Sequence, residues 1–110
     1  MIVEDEGAVA LMLEDLLEDL GFALAGSFAR IASAREAMKS AAFDFAVLDI
    51  NVAGETSFDL ARALGERGIP FVFSTGYGTA AVPADLSDRY VLTKPFSAAD
   101  LLRAVQAAMG

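Results

Sequence analysis

The chain has no histidine, no cysteine and no tryptophan. Without histidine it lacks the commonest general base near neutral pH and the commonest metal ligand. Without cysteine it has no disulfide, no thiol nucleophile and no zinc site of the usual type. Basic residues are also scarce: 8 Lys and Arg stand against 16 Asp and Glu, a net charge of −8. That balance repels nucleic-acid backbones and anionic lipid, so neither a nucleic acid nor a membrane is expected as a partner. No run approaches the ~20 apolar residues that span a bilayer. The opening Met1-Ile2-Val3-Glu4-Asp5-Glu6 is acidic where a secretory leader carries bases. The expected setting is cytoplasmic. Any metal here must be a hard cation held by oxygen.

What is present is apolar for 55% of its 110 residues, enough for one domain with a single core and no linker, repeat or low-complexity tract. Met1-Ile2-Val3 is a short β-like run. Val9, Leu13, Leu16, Leu17 and Leu20 then recur at helical spacing, and Gly21 is the expected stop. A second strand is expected from Phe22 to Phe28, weakened by Gly26. Ser33 and Glu36 form a capping box for a helix reaching about Ala41. Asp44 to Asp49 reads as a buried third strand. The same box logic opens a helix at Thr56-Ser57-Phe58-Asp59, with Leu60, Ala61 and Leu64 inward; Gly65, Gly68 and Pro70 end it. Phe71-Val72-Phe73-Ser74 is a fourth strand. Pro83 shortens or frays the crossover helix expected between Thr79 and Ser87. Tyr90 to Thr93 is the fifth strand, and Ser97 to Asp100 caps a last helix with Leu101, Leu102, Val105 and Met109 inward.

Strand and helix thus alternate five times, which calls for a parallel sheet with helices on both faces and right-handed crossovers. The expected fold is α/β, a doubly wound five-stranded parallel sandwich of flavodoxin-like type with strand order 2-1-3-4-5. In such a sheet the carboxyl ends of the strands share one edge, where ligands bind. Those ends carry Glu4 and Asp5, Asp49, Thr75 and Lys94. Two carboxylates about 5 Å apart repel by roughly 3 kcal/mol at an effective dielectric near 20. Three together need a cation, and all-oxygen donors suit Mg²⁺.

The blocks Val3-Glu4-Asp5-Glu6, Leu48-Asp49-Ile50-Asn51, Ser74-Thr75-Gly76 and Thr93-Lys94-Pro95-Phe96 resemble, in order and spacing, the receiver domains of two-component response regulators. The resemblance covers essentially the whole chain, residues 1–110, and implies a CheY-like phosphoacceptor domain rather than an enzyme with a separate substrate. It implies Asp49 as phosphoacceptor. Glu4, Asp5, Asp49 and the backbone carbonyl of Asn51 are implied as the Mg²⁺ site. Thr75 and Lys94 are implied as the groups that contact the phosphoryl, with a cis bond between Lys94 and Pro95. The implied partners are a sensor histidine kinase or phosphotransfer protein and a downstream protein target, with the chain a monomer or weak dimer. Glu6 reads as a solvated acid rather than a ligand.

Receivers usually carry an aromatic three residues before the lysine; here that position is Val91, and strand alternation turns Tyr90 to the other face. Phe73-Ser74-Thr75-Gly76-Tyr77 is similar instead to the Phe-Ala-Thr-Gly-Tyr block of the FAT GUY regulators of alphaproteobacteria, which also lack that aromatic. The run Asp49-Ile50-Asn51-Val52-Ala53-Gly54-Glu55 is similar to the same group. On this reading Gly76, Tyr77 and the segment up to Asp88 carry the switch of a single-domain receiver that signals by contact or serves as a phosphate relay or sink. Two rivals stand beside it. One is a pseudo-receiver, an interaction module that is never phosphorylated. The other is an aspartyl-phosphate phosphatase, against which Asn51 counts, because those enzymes usually place a second Asp there.

Overall fold

The computed structural model describes residues 1–23, 25–40, 44–76 and 82–109. In chain order the strands are β1 (Ile2–Val3), β2 (Ser27–Phe28), β3 (Ala46–Asp49), a two-stranded hairpin of β4 (Asn51–Val52) and β5 (Glu55–Thr56), β6 (Phe71–Thr75) and β7 (Val91–Thr93). Among the described residues the helices are α1 (Gly7–Asp19), α2 (Ile31–Ala37), α3 (Phe58–Glu66) and α4 (Ala98–Met109), with a 3₁₀ turn at Ala84–Leu86. The main sheet has the order β2-β1-β3-β6-β7, and its strand pairs are all parallel. With the hairpin left out of the count, this is the 2-1-3-4-5 order of a CheY-like α/β fold.

Burial on both faces explains why β3 and β6 are continuous apolar runs. Side chains alternate between the faces. Val3, Leu48, Phe71 and Phe73 pack with Ile31 and Ala34 of α2 and Leu60, Ala61 and Leu64 of α3. Ile2, Val47, Val72 and Leu92 pack with Leu13 and Leu17 of α1 and Leu101, Ala104 and Val105 of α4. Across the centre, Ala46, Val47, Leu48 and Asp49 stand opposite Phe71, Val72, Phe73 and Ser74. That register fixes which polar residues emerge side by side at the carboxyl edge.

Several local expectations are corrected. The box at Ser33 and Glu36 does not form, because α2 already begins at Ile31 with Arg30 as N-cap. Burial of Ile31 outweighs a capping bond by drawing the helix start three residues earlier, the N-cap moving from Ser33 to Arg30. Thr56 is paired into the hairpin, and the Ser57 N-cap makes no side-chain capping bond. The last box does form: Asp100 Oδ2 accepts from the Ser97 amide at 3.0 Å, and Ser97 Oγ from the Asp100 amide at 3.1 Å. Met109 is 48% exposed rather than inward; the inward stripe of the last helix runs through Leu101, Ala104 and Val105 to Ala108. Ladder pairing in the second strand is confined to Ser27–Phe28, with Leu24 outside the described residues. The second helix ends at Ala37, with Met38 as C-cap, rather than near Ala41; the Tyr77 part of the fourth crossover lies outside the described residues. What is described of that crossover is the 3₁₀ turn after Pro83, anchored by buried Leu86. Asp85 ties it to α3, its carboxylate accepting from Arg62 Nε at 2.8 Å and Nη2 at 3.1 Å.

Candidate functional site

At the carboxyl edge of the sheet a cavity of about 300 Å³ is lined by Asp5, Glu6, Asp49, Asn51, Thr75, Gly76 and Lys94. Of the anticipated residues, Asp5, Asp49, Asn51, Thr75, Gly76 and Lys94 are on that wall. Glu4 is 2% exposed and reaches the site through Lys94. Tyr77 is outside the described residues. Glu6, read from sequence as merely solvated, also lines the cavity and is exposed.

The polar groups are tied together tightly. Lys94 Nζ donates to Glu4 Oε2 at 2.9 Å and lies 3.4 Å from Asp49 Oδ2. The second oxygen of Glu4, Oε1, accepts from the Glu6 amide at 3.2 Å. Asp5 Oδ2 accepts from the amide of Ala53 at 2.9 Å. That amide is aimed by the tip of the hairpin, where Ala53 and Gly54 both take positive φ, 52° and 85°. Two successive positive φ values match the right-handed twist of a tight hairpin, and Gly54 accepts one without the Cβ clash that Ala53 carries. The Lys94–Pro95 bond is cis. The Lys94 amide donates to the carbonyl of Thr75 at 2.8 Å, joining the ends of β6 and β7.

Carboxylate oxygens of Glu4, Asp5 and Asp49 all lie within 4.8 Å of one another. Against three acids stands the single ammonium of Lys94, so the cluster carries a surplus of negative charge. Burial first, and then the charge of Glu4, push the Asp49 carboxyl up to about 6, while Lys94 pulls the other way. For Lys94, burial works to lower the pKa, but the Glu4 hydrogen bond and the charges of Asp49 and Glu4 outweigh it and raise it. The lysine therefore stays charged at neutral pH. An oxygen-only, over-negative cluster at the mouth of a cavity is chemically suited to a hard divalent cation such as Mg²⁺. The residues present fit that group. Chemically, the arrangement offers an oxygen nucleophile beside a fixed cation.

Residues 1–106 match the response regulator receiver domain family, and the chain belongs to it. A receiver is a phosphoacceptor signalling domain. A search of curated proteins gives no match. Among solved structures, SdrG from Sphingomonas melonis Fr1 is 41% identical with a TM-score of 0.88, over 99% of this chain and 93% of that one. The BeF3-activated conformation of SdrG from Pseudomonas melonis Fr1 is 40% identical with a TM-score of 0.85, over the same shares of the two chains. The receiver domain of the Erythrobacter litoralis PhyR response regulator is 29% identical with a TM-score of 0.85, over 98% of this chain and 88% of that one.

Proposed function

We propose that the 110 residues act as one receiver unit that takes a phosphoryl group onto Asp49 from the phosphohistidine of a sensor kinase or phosphotransfer protein. One observation carries the reading. The Asp49 side chain is 10% exposed, 3.4 Å from the Lys94 ammonium, and within reach of two further carboxylates at the mouth of a cavity. In the proposed step an oxygen of Asp49 bonds to phosphorus as the nitrogen–phosphorus bond breaks. The imidazole leaves with the bonding pair and takes up a proton, and the product is an acyl phosphate. Lys94 and the Thr75 hydroxyl meet charge on the phosphoryl oxygens, so catalysis is positioning and electrostatics. Glu4, Asp5, Asp49 and the carbonyl of Asn51 would hold Mg²⁺, which supplies further neutralisation of that charge when bound. Attack of water on the same phosphorus returns Asp49 to its carboxylate.

SdrG exists in a BeF3-activated conformation, and its 40% identity to this chain supports a phosphorylatable receiver here. The Phe73-Ser74-Thr75-Gly76-Tyr77 block supports membership of the FAT GUY group, with Gly76, Tyr77 and the segment up to Asp88 as the switch. The output is contact with a downstream protein target, or phosphate relay. Among the described residues no helix is long and apolar enough to cross a membrane. The proposed setting is cytoplasmic, with the chain a monomer or weak dimer. Phosphotransfer profiling against candidate histidine kinases tests the reading. One kinase should lose its phosphate to the wild-type chain and none to Asp49→Asn. Transfer that persists in Asp49→Asn contradicts it.

A further inference from the structure

Ser74 lies on β6 directly opposite Asp49 of β3. Strand alternation puts both side chains on the same face of the sheet. Val47 and Val72, two residues before each, belong to the α1 and α4 side, whereas Leu48 and Phe73 belong to the other. The Ser74 residue is 0% exposed, and its hydroxyl has no hydrogen-bond partner among the described residues. A buried hydroxyl is almost always paired, so an unpaired one beside a reacting carboxylate needs an explanation. The group that stands directly opposite it is Asp49. Lys94 lies 3.4 Å from Asp49 Oδ2 and is shared with Glu4 at 2.9 Å.

We infer that Ser74 is a positioning residue for Asp49: its hydroxyl is held in reserve and donates to the Asp49 side chain when Lys94 turns to the incoming phosphoryl group. This rests on Asp49 being the phosphoacceptor. A hydroxyl donates through one proton that rotates about a single bond, so it follows the carboxylate without moving the strand. It restrains the carboxylate from the strand side while one oxygen faces the cavity. Alanine at the same place leaves the reaction possible but less well aimed, so Ser74 tunes the rate rather than enabling it.

The test uses acetyl phosphate as donor with Mg²⁺, on wild type, Ser74→Ala, Ser74→Cys and Ser74→Thr. Maximal phosphorylation rate, half-saturating donor concentration and metal-free melting temperature are read for each. Loss of one hydrogen bond to a charged group corresponds to about a tenfold slower maximal rate. Ser74→Ala and Ser74→Cys should show that loss with half-saturation unchanged, and Ser74→Thr should stay near wild type. Metal-free Ser74→Ala should melt no lower than wild type, because the hydroxyl it lacks had no partner. A Ser74→Ala rate equal to wild type overturns the inference, as does a Ser74→Thr rate as slow as Ser74→Ala. A lower melting temperature for Ser74→Ala overturns the idea of a reserve, since the hydroxyl would then be paired at rest. If wild type gains no phosphate while folded, the phosphoacceptor reading itself fails and this one falls with it. A phosphorylated wild type with an indifferent Ser74 sinks this inference alone.

Discussion

Replacing Asp49 with asparagine should stabilise the metal-free protein. Burial, reinforced by the charge of Glu4, lifts the Asp49 carboxyl from 3.8 to about 6 against the pull of Lys94. A carboxyl raised on folding keeps its proton in the folded chain over a range where the unfolded chain has released it. Its contribution is therefore most favourable below about pH 4, declines as the pH climbs to about 6, and stays at the lower level above that. A separation of about two pH units at ~1.4 kcal/mol each gives about 3 kcal/mol. That is the upper bound on what Asp49→Asn gains at pH 7, because the amide has no charge to desolvate. Lys94 keeps its 2.9 Å bond to Glu4 in the variant, so no ammonium is orphaned. Urea unfolding in EDTA at about pH 4, 6 and 8 measures the difference. The variant should lead by up to about 3 kcal/mol at the highest pH and by almost nothing at the lowest. Adding Mg²⁺ should stabilise wild type alone and close the gap. A variant less stable than wild type at neutral pH, or a lead that grows on acidification, would refute the electrostatic account of this cluster.

Two further outcomes follow from the same contacts. Lys94→Met strands the Glu4 carboxylate, whose side chain is 1% exposed, and should cost about 3 kcal/mol in urea unfolding. Glu4→Gln in the same chain should recover much of that; an additive double variant would show that the pair is not coupled. Ala53→Gly relieves the positive φ of 52° at the hairpin tip and should raise stability by about 0.5–1 kcal/mol without loss of the Asp5 contact. A loss of stability there would mean that the tip is not strained.

The parts of this molecule that announce themselves in the sequence are those whose signal is local. Phe45 to Asp49 is an apolar run ending in an acid, and a strand buried on both faces leaves no other reading of it. Once the strand order is fixed, Glu4, Asp49, Thr75 and Lys94 must share one edge, and no long-range detail is needed to bring them together. Ser97 and Asp100 cap their helix through reciprocal bonds at 3.0 and 3.1 Å, both partners lying within four residues of one another. Ser33 does not cap, since Ile31 finds a buried place and the helix starts there. What could not be read was which acid takes the lysine. Glu4 and Lys94 are 90 residues apart, and only the side-chain reach in the folded site gives the ammonium to Glu4 at 2.9 Å rather than to Asp49 at 3.4 Å. The Ala53 amide on Asp5 is equally hidden, because it depends on a hairpin too short to show periodicity. Glu6 is exposed, as read, and stands outside the cluster of Glu4, Asp5 and Asp49.

The most direct measurement is peptide-level mass mapping after exposure to acetyl phosphate, with and without Mg²⁺. The account predicts a single phosphate on the peptide carrying Asp49, formed only when the ion is present and absent in Asp49→Asn. A folded chain that takes no phosphate under those conditions, or takes it on another residue, would contradict it.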